Sequence, residues 1–299
     1  MHPDELPIDA ALVRRLLAAQ FPGWAGLLVE PVRYFGTDNA IYRLGDELAV
    51  RLPRREHNVL GLRKELRWLP QLAPLLPLAV PEPVATGEPG EGYPLEWAIY
   101  RWLPGEPAYE TPPEDPRPEL VALLATFRAI DPAGGPPPGR HNAFRGEPLA
   151  RRDEITREKI AELGLEREAL PVWEAAHAAG EWARDPVWLH GDLDARNLLV
   201  TDGRVSGLVD FGTLGVGDPA SDVMVAWKML SAEGRERFRA ELEVEDATWA
   251  RARGWALTQA VNALTYYTDE NNPILVREAR AWLAEVLADS PEAPTCGAA

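Results

Sequence analysis

The pattern of apolar and polar positions predicts sheet-forming segments and one packed helix in the first third of the chain. An apolar face at helical spacing covers residues 10–20, with Asp9 placed as the N-cap. Short apolar runs at 40–44 and 48–52 flank Gly45-Asp46-Glu47 and predict a β-hairpin. A second helix is predicted at 58–69, and further strands at 81–86 and 96–103. The pattern therefore indicates an antiparallel sheet that carries a packed helix.

The remainder of the chain reads as mostly helical. Helices are predicted at 119–130, 151–163, 171–184, 219–230, 233–242, 248–268 and 274–288. The exception is a short hairpin at 198–209 with a turn at Thr201-Asp202-Gly203. The proline-rich stretch 104–118 excludes helix and central strand and is interpreted as the joint between two lobes. We expect an N-terminal lobe at 1–103, a C-terminal lobe at 104–290 and a disordered tail at 291–299.

Charge and cysteine content exclude several classes of protein. The 299 residues carry 47 acidic and 31 basic side chains, a formal net charge of −16, which disfavours nucleic acid as a partner. The acidity fits either a solvated surface or an acidic groove that attracts a cationic small molecule. A single cysteine, Cys296, rules out an intrachain disulfide and fits a reducing cytoplasm. The most apolar stretch, 69–80, is short and interrupted by prolines, so no membrane span is expected.

Candidate chemistry is concentrated in residues 188–222. Asp192 and Asn197 precede the predicted hairpin, and Asp210 follows it, so the hairpin brings the three side chains to the same end. Carboxylate and amide oxygens are ligands that suit Mg²⁺ together with phosphate oxygens. A further carboxylate that is not consumed by the metal can accept a proton from an attacking hydroxyl. The pattern therefore points to phosphoryl transfer from a nucleotide.

These motifs resemble a known family. The segment HGDLDARN, residues 190–197, resembles the H-G-D-x-x-x-x-N loop of the aminoglycoside phosphotransferases, a family that includes macrolide phosphotransferases. Asp210-Phe211-Gly212 resembles the D-F-G element, and GDPASD at 217–222 resembles the G-D-P-x-x-D sequence that follows it. The resemblance implies a two-lobed α+β fold of the protein-kinase type. It also implies Asp192 as the catalytic base, Asn197 and Asp210 as Mg²⁺ ligands, and His190 in a structural role.

The resemblance assigns nucleotide binding to the first lobe. Arg51 occupies the strand position where the family has a basic residue, normally lysine, for the phosphates. Glu65 is its expected partner, because an acid at the buried edge of a helix needs one; a surface pair with a nearby arginine is the alternative. The remaining nucleotide-binding residues are expected to be Gly36 and Asn39, in the place of a glycine-rich loop, and Arg101 and Leu103, through their backbone groups. A P-loop motif is absent from the sequence.

Four residues are candidates for contact with the acceptor. Asp194 lies beside the expected base, and Tyr266, Asp269 and Glu270 lie at the end of a predicted helix, where acids oppose the helix dipole. Binding of an amine explains this placement, and so does a solvated helix end.

The sequence therefore predicts a small-molecule O-phosphotransferase that uses Mg²⁺ and ATP, or GTP. The resemblance implies an aminoglycoside- or macrolide-type antibiotic as the hydroxyl acceptor. A metabolic kinase for choline-, sugar- or amino-alcohol-type substrates is the alternative. A nucleotide-binding pseudokinase is a third interpretation, favoured only by Arg51 and disfavoured by the intact Asp192, Asn197 and Asp210. Monomer and homodimer both stay open.

Overall fold

A computed structural model of the chain describes residues 5–32 and 38–289. The chain forms two compact units that are discontinuous in sequence. The first contains Met1–Glu114, Gly134–Arg145 and His190–Gly215, and the second contains Asp115–Ala133, Gly146–Leu189 and Val216–Ala299. The lobe boundaries expected from the sequence are contiguous and differ from this division; they stay a prediction. The predicted disordered tail at 291–299 lies outside the described residues.

Ten helices and ten strands are present in the described part of the chain. In chain order the helices are α1 (Ala10–Gln20), α2 (Val59–Leu72), α3 (Arg117–Ala129), α4 (Asp153–Glu162), α5 (Glu166–Ala178), α6 (Ala220–Val223), α7 (Val225–Met229), α8 (Ala232–Glu241), α9 (Asp246–Tyr266) and α10 (Pro273–Ala288). The strands are β1 (Val29–Pro31), β2 (Asn39–Leu44), β3 (Leu48–Pro53), β4 (Pro83–Gly87), β5 (Trp97–Arg101), β6 (Glu106–Pro107), β7 (Val187–Leu189), β8 (Leu198–Thr201), β9 (Arg204–Leu208) and β10 (Gly215–Gly217).

The first unit is built on a five-stranded antiparallel sheet of order β1-β2-β3-β5-β4. Successive side chains of a strand point to opposite faces. Val50 of β3 and Ile99 of β5 enter the main core together with the apolar face of α1. Ala98 and Tyr100 of β5 point the other way and pack against Leu62 of α2. Because Arg51 lies between Val50 and Leu52, which both belong to the main core, it shares the α2 face with Tyr100.

The predicted hairpin forms within the first unit. Strands β8 and β9 pair antiparallel, with β6 added at the edge of β8. Ala79 joins the other side of the hairpin, because its N–H donates to Ser206 O and its carbonyl accepts from Leu208 N. Residues 190–197 lead into the first strand of the hairpin, and residues 209–215 follow its second strand.

The second unit is mainly helical. Helix α9 is its central element, and α4, α5, α6 and α10 pack against it. Alanines on α9 allow α10 to approach closely, and the contact buries Ala260, Ala279 and Trp282. No helix in the described ranges has the length and apolar character needed to cross a membrane.

Most predicted elements are present, but α2 ends later than predicted, α5 is shifted at both ends, and the single helix predicted at 219–230 forms two, α6 and α7. Asp9 caps α1 as expected, because its Oδ1 accepts from Leu12 N at 2.7 Å. Helix α2 continues to Leu72, past Pro70, where the sequence predicted an end at residue 69. Helix α5 covers Glu166–Ala178 instead of 171–184, with Pro171 inside it. In both helices the buried apolar face extends across the proline, and this packing outweighs the lost backbone hydrogen bond.

Candidate active site

A buried ion pair joins the sheet of the first unit to α2. Arg51 Nη1 lies 2.7 Å from Glu65 Oε1 and 2.5 Å from Glu65 Oε2, and both side chains are inaccessible or nearly so. The hydroxyl of Tyr100 donates to Glu65 Oε2 at 3.1 Å. With the Asn39 amide turned so that its oxygen faces Arg51, that oxygen accepts from Arg51 Nη2 at 2.9 Å. The predicted pairing of Arg51 with Glu65 is therefore present; a role in binding nucleotide stays a prediction.

Burial dominates the electrostatics of this pair. It raises the pKa of the Glu65 carboxyl, and the charge and hydrogen bond of Arg51 act in the opposite direction. It also raises the pKa of the Tyr100 phenol well above its ordinary value, so Tyr100 acts as a hydrogen-bond donor to Glu65. An unpaired carboxylate at the Glu65 position would be costly, which makes the guanidinium of Arg51 a necessary partner.

His190, the first residue of the loop 190–197, anchors the loop through its buried ring. The ring is fully buried, with Nε2 3.0 Å from Val209 O and Nδ1 3.3 Å from the N–H of Asp192. A carbonyl only accepts and a backbone N–H only donates, so the ring is neutral with its proton on Nε2. Phe211 packs edge-on against it at a centroid distance of 4.8 Å. These contacts give His190 a structural role in the loop.

Asp192, the predicted base, is partly exposed and is oriented from several sides. Asn197 Nδ2 donates to Asp192 O at 2.8 Å and to Asp192 Oδ2 at 3.3 Å. The guanidinium of Arg196 lies 3.7 Å from Oδ2, and that of Arg145 lies 3.8 Å from Oδ1. The carboxylate side chain keeps 26% of its surface exposed, so it remains accessible while its orientation is fixed.

Asp194 is placed differently from the sequence prediction. Its side chain has no solvent exposure. One oxygen accepts from the backbone N–H of Arg196 at 2.9 Å, and the other is paired with the Arg196 guanidinium. A cationic substrate has no access to this carboxylate. The predicted substrate contact is therefore corrected: Asp194 shapes the loop and holds Arg196.

Asp210 lies next to Asn197 because Val209 N donates to Asn197 O at 2.9 Å. The backbone at Asp210 is left-handed, with φ 62° and ψ 66°, a conformation that aspartate tolerates better than most residues. Arg51 Nη2 lies 3.1 Å from Asp210 Oδ1. Asp210 therefore closes a chain of contacts that runs from Glu65 through Arg51 to the end of the hairpin.

The donor set around Asp210 fits a magnesium ion that shares its ligands with phosphate. Asn197 uses its Nδ2 for Asp192, which leaves Oδ1 as its acceptor atom. Within residues 5–32 and 38–289 no group of three or more His, Cys, Asp or Glu side chains is arranged to hold a metal. One carboxylate and one amide oxygen do not make a complete site, but they match the small protein contribution that Mg²⁺ takes at a nucleotide.

For the other residues predicted to bind the nucleotide, that role stays a prediction. Gly36 lies outside the described residues. Asn39 begins β2 and contacts Arg51. The N–H of Arg101 donates to Glu82 O at 2.9 Å, so a contact from Arg101 to a base would use its carbonyl. Leu103 lies two residues after the end of β5, at a partly exposed position.

The remaining acceptor candidates lie in the second unit. Tyr266, at the end of α9, is 59% exposed and packs edge-on against Tyr267. Asp269 is exposed and is paired with Arg280 at 3.0 Å. Glu270 lies beside it at an exposed position. Their assignment to the acceptor stays a prediction.

Sequence reasoning missed Arg145. Its Nε donates to Gly191 O at 2.7 Å, and its aliphatic stem lies against Gly191. The two residues are 46 positions apart, so no local spacing signals the contact. Within the loop, the sequence shows only Arg196 as a cation near the predicted base.

Comparisons with known proteins show which family the chain resembles. The family model described as "Phosphotransferase enzyme family" matches residues 32–255. An aminoglycoside 3'-phosphotransferase from Escherichia coli is 44% identical over 59 residues, covering 20% of this chain and 22% of that protein. The chain spans 22% to 52% of the length of the curated relatives it matches.

Solved structures share the fold. The GDP complex of wild-type aminoglycoside 2'-phosphotransferase-IIIa superposes with a TM-score of 0.70 at 16% identity, covering 95% of this chain and 100% of that one. The macrolide 2'-phosphotransferase MphH from Brachybacterium faecium gives a TM-score of 0.58 at 24% identity, covering 96% and 100%. At these identities the likeness shows the fold, and the expected kinase-like α+β class is confirmed. Since the family model covers well over half of the sequence, the chain belongs to the phosphotransferase enzyme family.

Proposed function

We propose that this protein transfers the γ-phosphate of ATP or GTP to a hydroxyl group of a small molecule, with an aminoglycoside- or macrolide-type antibiotic as the acceptor. One observation carries the proposal. Asp192 is exposed enough to meet a hydroxyl and is oriented by Asn197, whose backbone pairs with the residue before Asp210.

Asp192 acts as the general base. It accepts the proton of the acceptor hydroxyl while that oxygen forms a bond to the γ-phosphorus. The bond between the γ-phosphorus and the oxygen bridging to the β-phosphate breaks, and the nucleoside diphosphate leaves. Asn197 fixes the Asp192 carboxylate, so little reorganisation is needed in the transition state.

The nucleotide side of the site is served by Arg51. Its guanidinium is held by Glu65 through Nη1, and Nη2 reaches Asp210. This arrangement keeps a permanent positive charge beside the residue expected to hold the metal. Because Nη1 is taken up by both oxygens of Glu65, Arg51 would meet a phosphate oxygen from the Nη2 side of its guanidinium, beside Asp210.

Mg²⁺ would be held by Asn197 and Asp210 together with the nucleotide phosphates, and its chemistry is neutralisation of the charge on the transferring phosphoryl group. One of the similar structures is a GDP complex, and another is a macrolide 2'-phosphotransferase. The first supports keeping GTP beside ATP as a donor, and the second supports keeping macrolides beside aminoglycosides as acceptors.

The experiment measures nucleotide consumption by the purified protein with Mg²⁺. ATP and GTP are each supplied with aminoglycosides, macrolides, and choline-, sugar- and amino-alcohol-type acceptors. We expect turnover with one antibiotic class and its loss in Asp192→Asn. If turnover occurs only with a choline-, sugar- or amino-alcohol-type acceptor, that compound is the acceptor and the antibiotic part of the proposal is wrong. Tight binding of Mg-nucleotide without turnover on any acceptor would favour a pseudokinase and contradict the proposal.

A further inference from the structure

Lys64 is a buried cation that the proposed mechanism does not use. It lies on α2 next to Glu65, and it is 8% exposed. Its Nζ donates to Leu214 O at 2.8 Å and to His141 O at 3.1 Å. The third neighbour is His141 Nδ1, also at 3.1 Å.

The histidine is set to accept from this lysine. His141 Nε2 lies 2.9 Å from Pro137 O, and a carbonyl only accepts, so the ring proton belongs on Nε2. Nδ1 then has a lone pair for Lys64. The three N–H groups of the ammonium thus meet three acceptors, which come from two separate segments of the first unit.

Helix α2 touches the segment after Asp210 at a second point, one turn before Lys64. A Cβ atom at Gly61 would lie 3.3 Å from Gly212 Cα, so the helix and the Asp210-Phe211-Gly212 backbone are in close contact. Any larger side chain at position 61 would push the two apart. Gly61 and Lys64 therefore form one seam between α2 and residues 210–214.

Together these contacts connect α2, Arg51 and residues 210–214 to one another. Glu65 holds Arg51, and Arg51 reaches Asp210. Four residues later, Leu214 accepts from Lys64, which is adjacent to Glu65 on the same helix. Because Arg51 is also held by Asp210, a shift of α2 away from residues 210–214 would draw Glu65 away from a guanidinium that is fixed at its other end.

We propose that Lys64 is a positioning residue that fixes α2 against residues 210–214 and so holds the Arg51–Glu65 pair in place for the nucleotide phosphates. Its link to the nucleotide rests on the proposed function. A buried lysine needs such a reason, because an apolar side chain would fill the same space without the desolvation penalty.

The test compares Lys64→Met with Arg63→Met, a neighbouring substitution on the same helix that removes only an exposed ion pair with Glu96. We expect Lys64→Met to weaken Mg-ATP or Mg-GTP binding roughly tenfold, the usual scale of coupling between sites. Arg63→Met should stay within about twofold of the wild type. Titration calorimetry without an acceptor gives the affinities.

A double-variant cycle separates positioning from a general loss of structure. If Lys64 acts through Glu65, Lys64→Met should lose most of its effect on nucleotide affinity when Glu65→Gln is already present. An equal loss in both backgrounds would overturn the proposal, and so would an affinity of Lys64→Met that matches the wild type. Should Lys64→Met not fold, His141→Ala removes one acceptor and keeps the lysine. A loss of about threefold is expected for it, and no loss would count against the proposal.

Amide hydrogen exchange provides a readout that needs no nucleotide. In Lys64→Met, residues 59–72 and 210–214 should exchange faster together, and in Arg63→Met they should not. Unchanged exchange would overturn the positioning role. Absence of nucleotide binding in the wild type would instead contradict the proposed function, so the two failures are distinguishable.

Discussion

At the scale of single residues, the site depends on neighbours that orient one carboxylate. Asp192 is approached by Asn197 and Arg196 at one oxygen and by Arg145 at the other. The two loop residues belong to the HGDLDARN motif and are visible in the sequence. Arg145 is not, because it arrives from a separate segment whose sequence has no spacing relation to the loop.

Arg145 supports the proposed base in two ways, through the Gly191 carbonyl and through its charge near Asp192. We predict that Arg145→Met lowers kcat roughly tenfold and changes nucleotide affinity less than twofold, because the Arg51–Glu65 pair is untouched. Arg140→Met, at an exposed position of the same segment, is the matched control. Steady-state kinetics separate kcat from KM, and an unchanged kcat in Arg145→Met would remove this role.

Gly191 is required for two reasons that a pair of variants can separate. Its φ is +83°, and a Cβ there would lie 2.9 Å from Thr213 O and 3.1 Å from Arg145 Cγ. Gly203 has a similar φ of +75° but open space, with its nearest contact at 4.0 Å. Gly203→Ala should cost about 1–2 kcal/mol of unfolding free energy from backbone strain. Gly191→Ala should cost at least ~1 kcal/mol more through crowding, measured by urea unfolding. Equal costs would show that space beside Gly191 does not matter.

At the scale of elements, alternation in β3 and β5 decides the site. Val50 and Ile99 enter the main core, so Arg51 and Tyr100 are turned toward α2 and Glu65. The sequence predicts this orientation of Arg51 and Glu65, because both the alternation of side chains along a strand and the helical spacing around Glu65 are local patterns. The hairpin β8–β9 is predicted for the same reason. The end of α2 and the start of α5 are not predicted, since the proline in each helix is tolerated because of buried contacts that only the folded chain provides.

The seam at Lys64 is also an element-scale feature that the sequence hides. Lys64 and Leu214 are 150 residues apart. A lysine within an amphipathic helix reads as a surface residue until the segments that cover it are known. Contacts of this kind come from tertiary packing, which leaves no trace in a local pattern.

Lys64 also predicts a pH dependence of stability. Burial lowers the pKa of Lys64 from 10.5 to about 8, partly offset by Glu65 and Asp210, and the His141 ring faces the same ammonium. Between pH 8 and 10.5 the unfolded chain binds the proton more tightly, so this group makes the fold more stable as pH rises. The unfolding free energy of the wild type should therefore rise relative to Lys64→Met over that range, by roughly 3 kcal/mol at most. Urea unfolding at pH 7.5 and 9.5 gives the comparison; a difference that is flat or falls with pH would contradict the burial of this lysine.

At the scale of the whole molecule, the formal charge of −16 bears on the acceptor. Such a charge attracts polycationic molecules, and dissolved salt screens this attraction and shortens its range. If the acceptor carries several positive charges, kcat/KM should fall several-fold between roughly 50 and 500 mM salt. The fall should come from a higher KM, with kcat unchanged. An uncharged acceptor or the nucleotide alone should not show this fall. A salt-independent kcat/KM for a polycationic acceptor would assign the charge to solubility only.

The measurement that bears most directly on the proposed mechanism is transfer of the labelled γ-phosphate to the acceptor in a single turnover. Wild type is compared with Asp192→Asn, and Asp202→Asn in the exposed β8–β9 turn is the control. Removal of the base should slow transfer by about 10²–10⁴-fold while Mg-nucleotide affinity stays within twofold, and Asp202→Asn should behave as wild type. Transfer by Asp192→Asn at a rate near that of the wild type would contradict the assignment of Asp192 as the base and, with it, the proposed mechanism.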